Sequence, residues 1–134
     1  PGAIGAKLAK PDRKILAVMG DGGFMMNSQE IETAVREKIP LVVLIWVDNA
    51  YGLIKWKMDM EMGHHRDVDF GNPDFVKYAE SFGAKGYAVG KAADLLPTLQ
   101  KALGEDGVSI IACPVDYSEN MKLTDKLGAL TIPL

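Results

Sequence analysis

The chain has 134 residues, 48% hydrophobic and 25% charged, with a net charge of −3 and a sequence pI near 5.3. This length and balance fit one globular domain with a real core, and the lack of a basic stripe argues against nucleic acid as a partner. No apolar run approaches the roughly 18–20 residues of a membrane span and no signal-peptide pattern is present, while the single cysteine, Cys113, cannot close an internal disulfide, which fits a reducing cytoplasm.

Gly2-Ala3-Ile4-Gly5-Ala6-Lys7-Leu8-Ala9 reads as the middle of a small-residue helix, stopped by Pro11-Asp12. Because the chain opens inside this pattern, at Pro1, it is expected to be a piece of a longer protein. Ile15 to Met19 is a short continuous apolar run, expected to be a strand buried on both faces. Gly20-Asp21-Gly22-Gly23 follows it directly. Asn27-Ser28 offers a cap for the next helix, with Ile31, Ala34 and Val35 on its inner face and Pro40 beyond it. Glu30 and Glu32, near its start, suit the helix dipole. Leu41 to Val47 predicts a second buried strand, followed by Asp48-Asn49-Ala50-Tyr51-Gly52.

Residues 53–62 predict a helix with Leu53, Ile54 and Trp56 as apolar surface, although Met58, Met60 and Met62 alternate in a way that suits a helix poorly. Gly63 to Gly71 reads as a polar loop. Asn72-Pro73 reads as a cap with proline at the first helical position. Phe75, Val76, Ala79 and Phe82 give the helical spacing that Gly83 ends. Lys85 to Val89 predicts a strand, and Asp94 to Leu103 a helix with Pro97 in its first turn. Val108 to Cys113 predicts a fourth strand, ended by Pro114. The tail from Ser118 to Leu134 shows no clear period. Alternating strands and helices with short connections imply an α/β fold, a three-layer sandwich with a mostly parallel sheet, in one domain over residues 1–134.

In such folds ligands sit beyond the carboxyl ends of the strands, where Asp21 and Asp48 both fall. They lie 27 residues apart in sequence. Two neighbouring parallel strands joined by a helix bring both turns to one sheet edge. That edge offers two carboxylates, bare glycine amides and a helix N-terminus, a set that suits a divalent cation clamped onto a diphosphate. Asp21 and Asp48 can each give an oxygen, and the backbone carbonyl of Ala50 a third. Gly22 and Gly23 let the backbone approach phosphate oxygens without a Cβ clash, and amides from Phe24 onward lead into the helix. Taken alone, the glycine tetrapeptide is equally a tight turn. The second acidic turn at the matching strand end favours a site.

Other features carry two readings. His64-His65 is either a metal or proton-transfer pair or part of a solvated loop or substrate lid with Gly63, Arg66 and Asp67. Cys113, in an apolar strand before proline, reads as an inert buried thiol. Trp46 reads as core. Met25-Met26 is expected to pack under the glycine turn, with Met25 near enough to touch a ligand.

The stretch Gly20-Asp21-Gly22-Gly23-Phe24, a spacer, and the Asp48-Asn49 turn followed by Tyr51-Gly52 resembles the motif of thiamine-diphosphate-dependent enzymes. The flanks PGAIGAKLAKPDRKILAV, FGNPDFVKYAESFGAKG and PVDYSEN extend the likeness over nearly the whole chain. They look most like the diphosphate-binding domain of catabolic-type acetolactate synthases. The resemblance implies the thiamine-diphosphate-binding fold, thiamine diphosphate and magnesium as cofactors, and condensation of two pyruvate molecules to 2-acetolactate with loss of CO2. Carried over by position, Asp21, Asp48 and the Ala50 carbonyl would hold the metal. Gly20, Asp21, Gly22, Gly23, Phe24, Asn49 and Tyr51 would bind or flank the cofactor.

No catalytic base is implied here, since the family's assisting glutamate lies on a separate pyrimidine-binding domain, and the piece alone would be catalytically silent. The family's sites form between two chains, which implies a homodimer or homotetramer. Two departures stand out. Val47-Asp48 replaces a paired asparagine, which keeps an oxygen ligand. Lys57 stands near a family glutamine on the segment that covers the substrate, so it is either a substrate contact or a solvated helix lysine. That leaves open a related 2-keto-acid decarboxylase or oxidase, or a non-catalytic binding module of the same fold. The sequence does not decide whether the parent protein binds flavin.

Overall fold

A strand with no polar position needs cover on both faces, and the seven apolar residues Leu41–Val47 receive it at the centre of the sheet. The computed structural model describes residues 1–120 and 122. Along the chain it runs α1 (Gly2–Ala9), β1 (Leu16–Gly20), α2 (Asp21–Met25), α3 (Glu30–Arg36), β2 (Leu41–Val47), α4 (Gly52–Met62), α5 (Phe75–Ser81), β3 (Lys85–Ala88), α6 (Ala92–Gly104) and β4 (Val108–Pro114). The strands pair in the order β1-β2-β4-β3, all parallel. Gly20 lies opposite Trp46, and Val47 opposite Pro114, so β1, β2 and β4 end together.

Alternation along β2 sorts the core into two layers. Leu41, Val43 and Ile45 face one cluster, built with Phe24, Ile31, Ala34, Phe75 and Ala79 from α2, α3 and α5. Val42 and Leu44 face the other, built with Leu95, Leu99 and Ala102 from α6. Helices thus cover both sheet faces, as the α/β three-layer expectation requires. At Gly86 in β3 the helix comes very close: a Cβ there would lie 2.6 Å from the carbonyl oxygen of Val76 in α5. No helix of the described residues is long and apolar enough to cross a membrane.

The structure corrects several local expectations. β1 is not buried on both faces: Leu16 is 37% and Val18 50% exposed. Among the described residues the cluster around α6 draws on β2, β3 and β4 but on nothing from β1, so no described helix covers that face of this strand. Asn27-Ser28 does not cap α3, whose N-cap is Gln29 without a side-chain bond. Ser28 instead accepts the Tyr78 hydroxyl at 2.8 Å. Asn72 does not cap α5. Asp74 does, accepting the amides of Val76 and Lys77 at 3.0 and 3.2 Å. The α6 helix begins at Ala92, so Pro97 falls in its second turn. Helix α4 keeps its expected span and ends at Gly63, but it buries no residue fully, and Leu53, Ile54, Met60 and Met62 are exposed. That explains why its apolar positions show no clean helical period. Of the tail, residues 121 and 123–134 lie outside the described residues.

Candidate functional site

Because β1, β2 and β4 end side by side, the residues after them meet at one edge of the sheet. Asp21 follows Gly20, Asp48 and Asn49 follow Val47, and Asp116 and Tyr117 follow soon after Pro114. With the first turns of α4, Asp21, Asp48, Asp116 and Tyr117, but not Asn49, line an open cleft of about 980 Å³. A smaller cleft of about 210 Å³, lined by Lys7, Lys14 and Gly107, sits at the opposite strand ends and holds none of these residues.

Asp21 is 1% exposed, and burial of a carboxylate demands partners. Its Oδ1 accepts the Gly22 amide at 2.8 Å. Its Oδ2 accepts the Asn49 amide at 2.8 Å, the Asp48 amide at 3.2 Å and Nδ2 of Asn72 at 2.6 Å. One side chain thereby joins the two turns. Asn49 sits in the left-handed region at φ 56°, which asparagine tolerates. Its carbonyl accepts the Phe70 amide at 2.9 Å, and its Oδ1 accepts Asn72 Nδ2 at 2.9 Å.

The Asp48 carboxylate lies against the start of α4, so close that a Cβ on Gly52 would come within 2.5 Å of its Oδ2. Burial holds its pKa above the ordinary aspartate value, and the neighbouring charge of Asp21 adds to the shift. Two like charges sharing a partly buried site are relieved by a cation, and an all-oxygen pair suits a hard one. Among the described residues no group of three or more acidic, histidine or cysteine side chains forms around a metal position. Further ligands would therefore be backbone oxygens, water or oxygens of the bound molecule. Ala50 is buried, and its amide bonds the Asp48 carboxylate.

The expected glycine turn is the start of α2, where Gly20 is the N-cap and Gly20 and Gly23 are bare. A Cβ at Gly20 or Gly23 would meet nothing within 4 Å. At Gly22 it would meet the Tyr51 ring at 2.8 Å and the Phe70 ring at 3.3 Å. Those rings pack at 4.9 Å and make one wall of the site. The Phe24 side chain turns the other way, into the core against Phe75 and Tyr78 at 5.6 and 5.9 Å, so only its backbone belongs to the turn.

Other expected residues are placed differently. Lys57 is exposed and outside the cleft lining. Lys55 lines the cleft instead and bonds Asp69 at 2.7 Å. His64 and His65 do not act as a pair: His64 Nδ1 lies 3.1 Å from the Met62 carbonyl, and His65 Nδ1 lies 2.7 Å from Asp59 Oδ1. Met25 and Met26 are exposed rather than packed beneath the turn. Cys113 is buried, and burial pushes its thiol pKa up, as an inert thiol requires. Trp46 packs against the α6-side core.

Sequence reasoning missed Phe70, Asn72 and Tyr117 as parts of this edge. Tyr117 lines the cleft near Asp48 and Asp21, and its pKa is raised by burial and then by those charges. Its signal was available, since it stands just beyond the end of a parallel strand.

The fold and edge define a class: an α/β domain with a carboxylate pair and a glycine-rich segment together at the carboxyl edge of a parallel sheet. Residues 1–113 match the family described as thiamine pyrophosphate enzyme, C-terminal TPP binding domain, and the chain belongs to that family. Within it, the chain is 46% identical over 128 residues to the acetolactate synthase of Bacillus subtilis (strain 168), covering 95% of this chain and 22% of that protein. It is also 46% identical over 127 residues to the catabolic acetolactate synthase of Raoultella terrigena, covering 95% and 23%. A solved thiamine diphosphate-dependent 4-hydroxybenzoylformate decarboxylase from Rhodococcus jostii RHA1 superposes with a TM-score of 0.82 at 32% identity, over 89% of this chain and 23% of that one. The chain spans less than a quarter of the length of these relatives. This is a thiamine-pyrophosphate-binding domain of the acetolactate synthase-like enzymes, as the motif implied.

Proposed function

We propose that this domain holds the diphosphate of thiamine diphosphate through a magnesium ion, within an acetolactate synthase that converts two pyruvate molecules to 2-acetolactate and CO2. The observation that carries this reading is the Asp21–Asp48 pair at adjoining strand ends, facing a cleft beside the glycine-rich start of α2. Among the described residues Asp21 Oδ1 accepts one hydrogen bond, from the Gly22 amide, so it retains capacity for a cation. The Asp48 carboxylate and the Ala50 carbonyl are the further ligands in this assignment. The amides of Gly23 and Phe24, with the backbone of Gly20 and Gly22, line the diphosphate, Asn49 flanks it, and the Tyr51 ring closes one side.

When bound, the cofactor supplies the electron sink that decarboxylation of a 2-keto acid requires. This chain's residues bind and orient it. A catalytic glutamate is assigned to a pyrimidine-binding domain elsewhere in a longer parent chain, which we place in the cytoplasm as a homodimer or homotetramer. The 134-residue domain alone is then catalytically silent. A second reading, a decarboxylase or oxidase of another 2-keto acid, draws support from the name of the Rhodococcus relative.

Calorimetric titration of the full-length protein with thiamine diphosphate, with and without magnesium, tests the site in wild type and Asp21→Ala. Magnesium-dependent binding that disappears in the variant supports it. Equal binding in both would end the assignment of Asp21. Product analysis with pyruvate and with aromatic or branched 2-keto acids then separates the two readings: 2-acetolactate from pyruvate supports the first, and CO2 release from another 2-keto acid with no 2-acetolactate from pyruvate the second.

A further inference from the structure

Asn72 lies 51 residues beyond Asp21, outside both turns. Its neighbour Asp74 takes over the capping of α5, which leaves the Asn72 side chain for another task. Both hydrogens of its amide are used. One goes to Asp21 Oδ2 at 2.6 Å and one to Asn49 Oδ1 at 2.9 Å. Turning the amide over would press Oδ1 against a carboxylate oxygen, acceptor on acceptor, so the chemistry fixes which end donates. Its own Oδ1 is buried without a hydrogen-bond partner among the described residues. An unpaired acceptor costs free energy, so the residue is held there by what its donors do.

Those donors act on the two turns at once. Among the described residues Oδ2 of Asp21 accepts three donors, the Asn72 amide the shortest of them at 2.6 Å, whereas Oδ1 accepts one and keeps a lone pair for a cation. The same amide fixes the side chain of Asn49, which stands next to Asp48 in left-handed backbone. We propose that Asn72 is a positioning residue for the cation: it clamps Asp21 to Asn49 so that Asp21 Oδ1 and the Asp48 carboxylate converge. This rests on the assignment of Asp21 and Asp48 as magnesium ligands. Removing a partner that orients a metal ligand commonly lowers metal affinity by roughly 10–100-fold.

The test uses the full-length protein stripped of metal by a chelator. Magnesium is titrated at fixed thiamine diphosphate and followed by tryptophan fluorescence, since Trp56 lines the cleft. Asn72→Ala and the near-isosteric Asn72→Leu remove the donors, and Asn72→Ser restores one. The expected result is a magnesium half-saturation raised roughly 10–100-fold in the first two and partly recovered in the third. Urea midpoints of the metal-free proteins should differ little between Asn72→Leu and Asn72→Ser. If Asn72→Ala does not fold, the leucine variant carries the comparison. Half-saturation within about twofold of wild type in a folded variant lacking the donors would overturn the proposal. A wild type that binds no cofactor with magnesium would instead remove the underlying metal assignment, and the role of Asn72 with it.

Discussion

Asp21 accepts the backbone amide of Asn49 at 2.8 Å, across 28 residues of sequence and between the ends of two neighbouring strands. With the amides of Gly22 and Asp48 on the same carboxylate, this makes Asp21 a part of the fold as well as of the site. The two roles separate experimentally, because the amides need their acceptor whether or not a ligand is present.

Asp21→Ala is therefore expected to destabilise the ligand-free protein by about 1–3 kcal/mol, the cost of stranding buried donors. Urea unfolding without magnesium or cofactor measures it. A variant as stable as wild type would mean that the carboxylate serves ligands alone.

Gly22→Ala places a Cβ 2.8 Å from the Tyr51 ring and 3.3 Å from Phe70. Overpacking of this kind costs about 1–3 kcal/mol, and here it displaces a wall of the cleft. Cofactor binding to the full-length protein should weaken roughly tenfold, equivalent to about 1.4 kcal/mol. Calorimetric titration reads the affinity, and unchanged binding would show that the ring pair yields freely.

At Gly86 the same substitution acts far from the cleft. Its Cβ would stand 2.6 Å from the Val76 carbonyl oxygen and 2.7 Å from the Val76 Cα, and backbone cannot swing aside as a side-chain tip can. Gly86→Ala should lower stability by about 1–3 kcal/mol, with cofactor affinity preserved in whatever remains folded. Thermal unfolding together with a binding titration distinguishes this outcome from damage to the site.

Tyr87 donates to Glu105 Oε2 at 2.6 Å, and Lys85 pairs with the same oxygen at 2.9 Å. Burial, and then Glu105, raises the Tyr87 pKa to about 12. A raised folded-state pKa contributes stability that is complete below the unfolded value of about 10. It is lost as pH rises toward 12. Glu105 is lowered by its bonds to Tyr87 and Lys85, so its contribution is lost in the opposite direction, as acid protonates it. The stability difference between wild type and Tyr87→Phe should accordingly shrink across the alkaline window. Denaturation midpoints of both proteins from neutral to alkaline pH test this, and a constant difference would contradict it.

The elements themselves were legible because their signals are local. A continuous apolar run such as Leu41–Val47 states that a strand is covered on both faces, and Gly83 ends α5 by backbone conformation alone. The placement of Asp21 and Asp48 just past two strands was readable for the same reason. The Ile15–Met19 run carried the same apolar signal as Leu41–Val47, yet edge or centre is a property of strand order, and β1 falls at the edge. Asn72 sits in a sequence that looks like a cap, and nothing within a few residues tells it to reach Asp21 instead.

The sequence by itself determined the alternation of strands and helices, the two acidic turns at strand ends and the family motif. All of these depend on periodicity and turn chemistry within short stretches. Only the tertiary structure decided that Phe24 faces the core while Lys57 stands clear of the cleft. It also brought Tyr117 and Asn72 to the same edge as Asp21. These are contacts between segments far apart in the chain. The packing of helices on a parallel sheet sets which segments meet, and no local preference encodes that choice.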